Sequence, residues 1–238
     1  MQRLVILGCG TNVGKTRVGV ALLQALERRG LPCLGLKPIE SGVPLNSTDA
    51  RGTDAALLAA AGSLRGAASA AAFYALSEPI SPHLAARNMG ITIDVSLASA
   101  WIARHEETMT SSIVSDSAPW SVVETAGGVF SPLNSGATNF DLARALEPAT
   151  WVLVAADALG VLHDVSATLQ AMVARGRPPD HVVLSAARPA DASTGRNAAE
   201  LATLGIVQPS AVLARDDDRG IEPLVERLLN TRITGALS

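Results

Sequence analysis

The chain alternates between short apolar runs and longer stretches in which apolar residues recur at helical spacing. The apolar runs have the length of buried strands and occur at 3–7, 33–37, 120–124, 151–155, 181–185 and 211–213. Helical patterns are found at 17–28, at 53–61, after Gly160 and at 221–230. Apolar strands that alternate with helices are typical of parallel sheets. We therefore predict an α/β fold, a doubly wound and mostly parallel sheet with helices on both faces.

Nothing in this pattern marks a boundary between domains. A chain of 238 residues can form one large α/β domain or two small ones, and no segment repeats another. We expect a single domain over residues 1–238. The segment 187–200 (ARPADASTGRNAAE) is predicted to be a mobile loop.

Composition narrows the range of partners. Hydrophobic residues make up 48% of the chain and charged residues 17%, so a substantial core is expected. A net charge of −3 without a long basic run gives no sign of nucleic-acid binding. No signal-peptide pattern and no apolar run of membrane-spanning length is found, so we expect a cytoplasmic protein without a membrane partner. Two cysteines, Cys9 and Cys33, do not make a disulfide framework.

Residues 7–16 (LGCGTNVGKT) almost match a phosphate-binding loop, or P-loop. The usual pattern is glycine, four residues and then Gly-Lys-Ser/Thr, which would place the first glycine at position 9, where the chain has Cys9. Gly8 and Gly10 flank that position. The loop lies between a strand and a helix, where backbone N–H groups and the helix N-terminus converge on an anion. We therefore predict an intact P-loop that is one residue longer than usual, starting at Gly8 and reaching Gly14.

Polar residues with suitable chemistry follow several of the predicted strands. In doubly wound sheets, functional side chains lie just past the carboxyl ends of strands. The residues at such positions are Lys15, Thr16, Lys37, Ser41 and Glu124, with Asp54 at the start of a predicted helix. Lys15 offers a point charge for phosphate, and the Thr16 hydroxyl and the Glu124 carboxylate are oxygen ligands of the kind that Mg2+ prefers. Taken alone, Glu124 could be a solvated strand end and Lys37 a surface lysine.

Five segments resemble the dethiobiotin synthetase family. They are GCGTNVGKT at the start of the chain, KPIESG at 37–42, TDA at 53–55, EPISPH at 78–83 and VVETAGGVFSPL at 122–133. The segments follow in the family's order over roughly the first 140 residues, and the resemblance thins beyond them. The family consists of P-loop enzymes, and its loop has the longer glycine spacing.

The resemblance implies a fold of the P-loop NTPase type and a homodimer that closes a cyclic urea on 7,8-diaminopelargonic acid. The reaction would use CO2, ATP and Mg2+. One amine of the diamine takes up CO2 as a carbamate, which attacks the γ-phosphate to give a carbamic–phosphoric anhydride. The second amine then closes the ring and expels phosphate. Positioning and positive charge carry most of the catalysis in such a phosphoryl transfer.

The resemblance also implies roles for individual residues. Lys15 and Lys37 would stabilise the transferring phosphoryl group, and Ser41 would contact the substrate. The Mg2+ ligands would be Thr16, Asp54 and Glu124. The nucleotide site would comprise Asn12, Val13, Gly14, Lys15, Thr16, Arg17, Asp54, Glu124, Thr125, Ala126 and Gly127. Gly160 and Val161 would bind the substrate carboxylate across the dimer interface, through backbone N–H groups at a helix N-terminus. The segment 81–83 would shape the diamine pocket, although His83 could equally be a packed or capping residue.

Departures from the family occur in the P-loop and around the helix that is predicted after Gly160. Asn12 replaces a residue that is commonly acidic, and Ala158 and His163 stand where the family more often has lysine and asparagine. Asp157 and Asp164 would add repulsion to an anionic substrate.

A further departure concerns the nucleotide base. Ala186 and Ala187 stand where the family often places the Asn-Asp pair that reads adenine, and alanine side chains cannot hydrogen-bond a base. Nucleoside triphosphates other than ATP therefore stay open as substrates.

Three functions remain in competition at this point. The first is a dethiobiotin synthetase. The second is a divergent relative that activates a carbamate or carboxylate on another amine. The third is a nucleotide-dependent switch ATPase. The P-loop has no additional lysine near its start, and a switch has no need of Lys37 with Ser41. Both observations favour the first two functions.

Overall fold

The computed structural model of the protein describes residues 1–44, 52–64, 70–111, 117–186 and 189–235, with side chains up to residue 230. The strands are β1 (Gln2–Gly8), β2 (Cys33–Leu36), β3 (Ile39–Ser41), β4 (Tyr74–Leu76), β5 (Trp120–Glu124), β6 (Thr150–Ala156), β7 (His181–Ser185) and β8 (Ala211–Leu213). The helices are α1 (Lys15–Glu27), α2 (Asp54–Ala61), α3 (Pro82–Asn88), α4 (Val95–Ser111), α5 (Asn139–Ala145), α6 (Val161–Ala174), α7 (Asn197–Thr203) and α8 (Glu222–Gly235). A 3-10 helix at Asp218–Ile221 precedes α8.

The main sheet has six strands in the order β2-β5-β1-β6-β7-β8, and every adjacent pair is parallel. The chain crosses from one half of this sheet to the other between β5 and β6, with β1 in the middle. In sheets of this kind, ligands bind outside the carboxyl ends of the strands at such a crossing. The predicted fold class is confirmed.

Helices cover both faces of the main sheet. Along β1, Leu4 and Ile6 pack into the core shared with α1, α2 and α8, whereas Val5 and Leu7 pack into the core shared with α3 to α7. This alternation follows from the strand geometry, because successive side chains point to opposite faces. Burial on both faces explains why the strand sequences read as continuous apolar runs.

Two features differ from the sequence pattern. Strands β3 and β4 pair in parallel as a separate two-stranded sheet that the pattern does not predict. The prediction of a loop over 187–200 is wrong at its C-terminal end, because α7 begins at Asn197. The Asn197 amide donates to Asp157 Oδ1 over 2.7 Å, which attaches the start of α7 to the end of β6. Residues 187 and 188 lie outside the described residues.

Within the described ranges, every helix is too short or too polar to cross a membrane. Both cysteines carry free thiols.

Candidate active site

The P-loop connects β1 to α1, and its geometry identifies the glycine that the turn requires. A Cβ at Gly8 would lie 2.9 Å from the Gly10 carbonyl oxygen, a separation that real Cβ atoms essentially never show, and 3.0 Å from Lys15 Cδ. At Gly10 the nearest atom would be 3.8 Å away, so a side chain would fit there. Gly8 is therefore the glycine that the loop needs, and the longer spacing from Gly8 to Gly14 is confirmed.

Asn12 and Gly14 both have left-handed backbone conformations, with φ of 57° and 94°. Among the described residues, Asn12 is the only non-glycine residue with positive φ. Asparagine adopts this conformation at lower cost than most residues, because its short polar side chain can hydrogen-bond locally. The replacement of an acidic residue at position 12 is thus compatible with the backbone of the loop.

A cleft of about 840 Å3 opens at the carboxyl ends of β1, β2 and β5, next to the P-loop. It brings together ten residues that the sequence predicts for the site: Asn12, Gly14, Lys15, Thr16, Lys37, Ser41, Asp54, Glu124, Ala126 and Gly127. The other lining residues are Thr11, Glu40, Pro79, Ile80, Ser81, Pro82 and Ser131. The strand-end lysine and the strand-end glutamate therefore face one common space.

Charged side chains in the cleft form a connected cluster. Lys37 Nζ donates to Asp54 Oδ2 and, over 2.7 Å, to Glu124 Oε1. The Thr16 hydroxyl donates to the same Glu124 oxygen over 3.1 Å. Lys15 Nζ donates to the Gly10 carbonyl oxygen over 3.1 Å, so its ammonium group folds back over the loop.

Burial and mutual attraction shift the protonation equilibria of this cluster. Burial alone would lower the pKa of Lys37, but the carboxylates of Glu124 and Asp54 outweigh it, so that the Lys37 pKa is raised and the cation is retained. The pKa of Glu124 is raised, because complete burial disfavours its ionised form more than Lys37 stabilises it. Burial lowers the pKa of Lys15. Lys15 and Lys37 are the only lysines of the chain, and both line the cleft.

The oxygen atoms of the cluster fit a magnesium ion. Glu124 Oε2 is buried and has no hydrogen-bond partner in the described part of the chain, and the Thr16 hydroxyl lies beside the same carboxylate. No group of three or more His, Cys, Asp or Glu side chains close enough to hold a metal occurs among the described residues. Mg2+ does not need such a group, because it is usually bound by one or two carboxylates, substrate phosphates and water. Thr16, Glu124 and Asp54 are the residues that could hold it.

The loop after β5 lines the cleft and is hydrogen-bonded to the P-loop. Val129 N donates to the Gly8 carbonyl oxygen over 2.8 Å. The buried amide of Asn139, the first residue of α5, donates to the carbonyl oxygens of Ala126 and Gly128, the latter over 2.9 Å. The sequence pattern does not predict this role for Asn139, because an asparagine at the start of a helix carries no sign of the loop that it supports.

Several predicted residues do not line the cleft with their side chains. Val13 packs into the core on the α1 side. The Arg17 side chain points away to Asp218, with 2.8 Å between Nε and Oδ1, and the Thr125 hydroxyl donates to the Ile6 carbonyl oxygen over 3.0 Å. Gly160 and Val161 lie at the start of α6, outside the cleft.

The two aspartates near α6 differ in their surroundings. Asp157 is buried and accepts hydrogen bonds from Gly195 N over 2.8 Å and from the Asn197 amide. Both oxygens of the Asp157 carboxylate therefore accept hydrogen bonds from within the protein. Asp164, in contrast, is exposed in the first turn of α6. A third carboxylate, that of Asp191, accepts from Leu159 N over 2.8 Å just before α6 begins.

Two further predictions concern the base and the diamine pocket. Ala186 is buried, and its backbone N–H donates to the Leu213 carbonyl oxygen over 2.9 Å, so neither its methyl side chain nor its N–H can hydrogen-bond a base. Ala187 lies outside the described residues. In the segment 81–83, Ser81 lines the cleft and its hydroxyl lies 2.9 Å from His83 Nδ1, which ties His83 to the cleft wall.

Comparison with known proteins agrees with these features. A sequence profile of the family described as an AAA domain matches residues 2–217. The chain is 35% identical over 224 residues to the ATP-dependent dethiobiotin synthetase BioD of Anaeromyxobacter dehalogenans (strain 2CP-C), covering 92% of each chain. It is 32% identical over 222 residues to the ATP-dependent dethiobiotin synthetase BioD 1 of Salmonella typhi, covering 93% of this chain and 92% of that one.

Solved structures show likeness in the fold alone. The signal recognition particle receptor FtsY from Elizabethkingia anophelis superposes with a TM-score of 0.55 at 9% identity, covering 92% of this chain and 60% of the receptor. A ParA family ATPase from Chlorobium tepidum TLS superposes with a TM-score of 0.50 at 13% identity, covering 94% of this chain and 89% of the ATPase.

Proposed function

The chain belongs to the dethiobiotin synthetase family, and on this premise we propose that it closes the cyclic urea of dethiobiotin from 7,8-diaminopelargonic acid and CO2 in biotin biosynthesis, using ATP. The observation that carries the proposal is the cluster of Lys37, Glu124, Asp54 and Thr16 beside the P-loop. A phosphate loop alone would suit any nucleotide-binding protein, but two buried lysines facing one cleft suit transfer of a charged phosphoryl group.

The triphosphate would be held by backbone N–H groups of residues 12–16 and by the N-terminus of α1. Gly14 precedes α1 with a left-handed backbone, and no side chain caps the first turn of the helix. Unused N–H groups at a helix N-terminus attract anions, and Lys15 adds a point charge. The lowered pKa of Lys15 reflects burial, and phosphate oxygens would favour its charged form again.

Lys37 would act on the transferring phosphoryl group. Its charge is retained although the residue is only 5% exposed, because the carboxylates of Glu124 and Asp54 stabilise the ammonium group. Mg2+, when bound, supplies positive charge at the phosphate oxygens, and Thr16, Asp54 and Glu124 are its proposed ligands. Lys37 would then exchange its carboxylate partners for oxygens of the carbamate and the phosphoryl group, so that the cation faces the charge that develops in the transition state.

The diamine would bind near Ser41, Ser81 and Ser131, which line the cleft. Ser41 Oγ is buried and lacks a hydrogen-bond partner among the described residues, which leaves it for a substrate group. We place the substrate carboxylate at the N-terminus of α6, near Gly160 and Val161 of a second copy, so that a cytoplasmic homodimer is the working form. In this proposal residues 1–238 act as one nucleotide-binding domain in each copy.

Phosphate release measured with and without 7,8-diaminopelargonic acid and bicarbonate tests the proposal. We expect ATP hydrolysis only when both are present, together with formation of dethiobiotin detected by mass spectrometry. Turnover with a different amine alone would support the divergent relative. Hydrolysis that ignores the diamine and responds to a protein partner would support the switch ATPase.

A further inference from the structure

Glu40 is a buried carboxylate of the cleft to which neither the sequence pattern nor the proposed reaction gives a role. It lies in the middle of β3, only 7% exposed, three residues after Lys37. Burying a carboxylate is costly unless hydrogen bonds replace its hydration. Glu40 therefore needs strong hydrogen-bond donors close by.

The first turn of α2 provides these donors. Asp54 N donates to Glu40 Oε1 over 2.7 Å, and Ala55 N donates to Glu40 Oε2 over 3.1 Å. Thr53 is the N-cap and accepts from Ala56 N over 3.2 Å. Glu40 thus satisfies two of the N–H groups that a helix leaves free at its N-terminus, and the third is satisfied by an ordinary cap.

Asp54 is consequently held to the strand segment that carries Lys37 in two independent ways. Its carboxylate contacts Lys37 Nζ, and its backbone N–H is bound by Glu40. The first link is lost whenever Lys37 turns to a phosphoryl oxygen, whereas the second does not involve Lys37. The buried face of α2 packs on α1 and β2, and at the first residue of the helix Glu40 provides the link to the cleft that does not depend on Lys37.

We propose that Glu40 is a positioning residue that holds the Asp54 carboxylate in place for the cation of the nucleotide complex, by binding the backbone N–H groups of Asp54 and Ala55. The inference rests on the proposed function for the identity of the cation. Each Glu40 oxygen accepts a hydrogen bond from a backbone N–H group of α2, so in this proposal Glu40 acts through Asp54. Outer residues that orient metal ligands typically contribute 10- to 100-fold to metal affinity.

The test is titration of Mn2+ into the full-length protein saturated with ADP, with free Mn2+ followed by electron paramagnetic resonance. Glu40→Gln keeps the size of the side chain but presents an amide group to one of the two N–H donors. We expect it to raise the Kd for Mn2+ about tenfold. Thr53→Ala, which removes the side-chain cap on Ala56 N in the same helix, should leave that Kd within about twofold, because this capping hydrogen bond does not involve Asp54.

A double-mutant cycle shows whether Glu40 acts through Asp54. With Asp54→Asn already present, Glu40→Gln should add less than about twofold to the Kd, because coupled residues are not additive. Three results would overturn the inference: an unchanged Kd in Glu40→Gln, an equal rise in Thr53→Ala, or full additivity with Asp54→Asn. If Glu40→Gln does not fold, Glu40→Asp, which keeps the charge but shortens its reach, replaces it with the same criteria. The assay contains no diamine, so it stays decisive even if dethiobiotin is not the product.

Discussion

Lys37 and Glu124 meet across two adjacent parallel strands, with 2.7 Å between Nζ and Oε1. The register of β2 and β5 pairs Leu36 with Val123. The residues that follow these two, Lys37 and Glu124, therefore lie opposite each other. Both side chains are buried, and removing either partner of a buried ion pair leaves an uncompensated charge. The ion pair in the cleft therefore depends on the register in which β2 and β5 are paired.

Replacing Lys37 by glutamine should remove most of the turnover. Losing a donor aimed at a developing charge typically costs on the order of 10²–10³-fold in kcat. Steady-state kinetics with the diamine, bicarbonate and ATP give the value, and circular dichroism checks the fold. Arg104→Gln, an exposed position on α4, serves as the control and should keep wild-type kcat. More than half of wild-type activity in Lys37→Gln would remove Lys37 from the catalytic machinery.

Glu124→Gln and Asp54→Asn should each raise the Mg2+ concentration for half-maximal activity. Each change replaces an anionic oxygen by a neutral amide, which this hard cation binds less well. The larger effect is expected for Glu124, since its Oε2 is buried without another partner in the described part of the chain. Glu226→Gln, on the exposed face of α8, is the control. Identical Mg2+ titrations for both variants and the wild type would show that neither carboxylate is a ligand.

Amine-reactive labelling should distinguish the two lysines. A reagent such as an acetylating ester attacks only the neutral amine, and the pKa of Lys15 is lowered while that of Lys37 is raised. At pH 8 the neutral fraction of Lys15 is therefore the larger one, and peptide mass spectrometry should find Lys15 modified before Lys37. Saturating ATP should protect both. Faster labelling of Lys37 would contradict the retained cation at that position.

The nucleotide base should matter little for turnover. Ala186 has a methyl side chain, and its N–H already donates to the Leu213 carbonyl oxygen, so this residue offers a base no side-chain group and no free N–H with which to discriminate. We expect CTP, GTP and UTP to support kcat/KM within roughly tenfold of ATP, a gap of about 1.4 kcal/mol or less. A preference for ATP above roughly a hundredfold, about 2.7 kcal/mol, would mean that other groups read adenine.

Asp157→Ala should destabilise the protein. Gly195 N and the Asn197 amide would lose a buried acceptor, and a buried donor without a partner costs about 1–3 kcal/mol. Urea unfolding followed by fluorescence measures the change in free energy of unfolding. Asp164→Ala in the same region removes only an exposed acidic residue from the first turn of α6 and should cost less than about 1 kcal/mol. Equal losses in both variants would contradict the anchoring of α7 by Asp157.

The sequence by itself determined the elements of the main sheet and the chemistry of the P-loop. Apolar runs of strand length mark each strand of the six-stranded sheet, because a parallel sheet buried on both faces has few polar positions. The phosphate loop could be located because its demands are local: a glycine where a Cβ would strike the backbone, and a lysine and a hydroxyl at fixed offsets. The strand-end positions of Lys37 and Glu124 follow from the same local pattern.

Only the tertiary structure decided which polar groups meet. The register of β2 against β5 brings Lys37 to Glu124, and the packing of α2 brings the backbone of Asp54 to Glu40. Neither contact has a signal in the sequence, because the partners are 87 and 14 residues apart and no local periodicity connects them. The contacts of Asn139 with Ala126 and Gly128 have no signal in the sequence for the same reason. Pairing between distant segments depends on strand order and helix packing, and these become defined only when the whole core assembles.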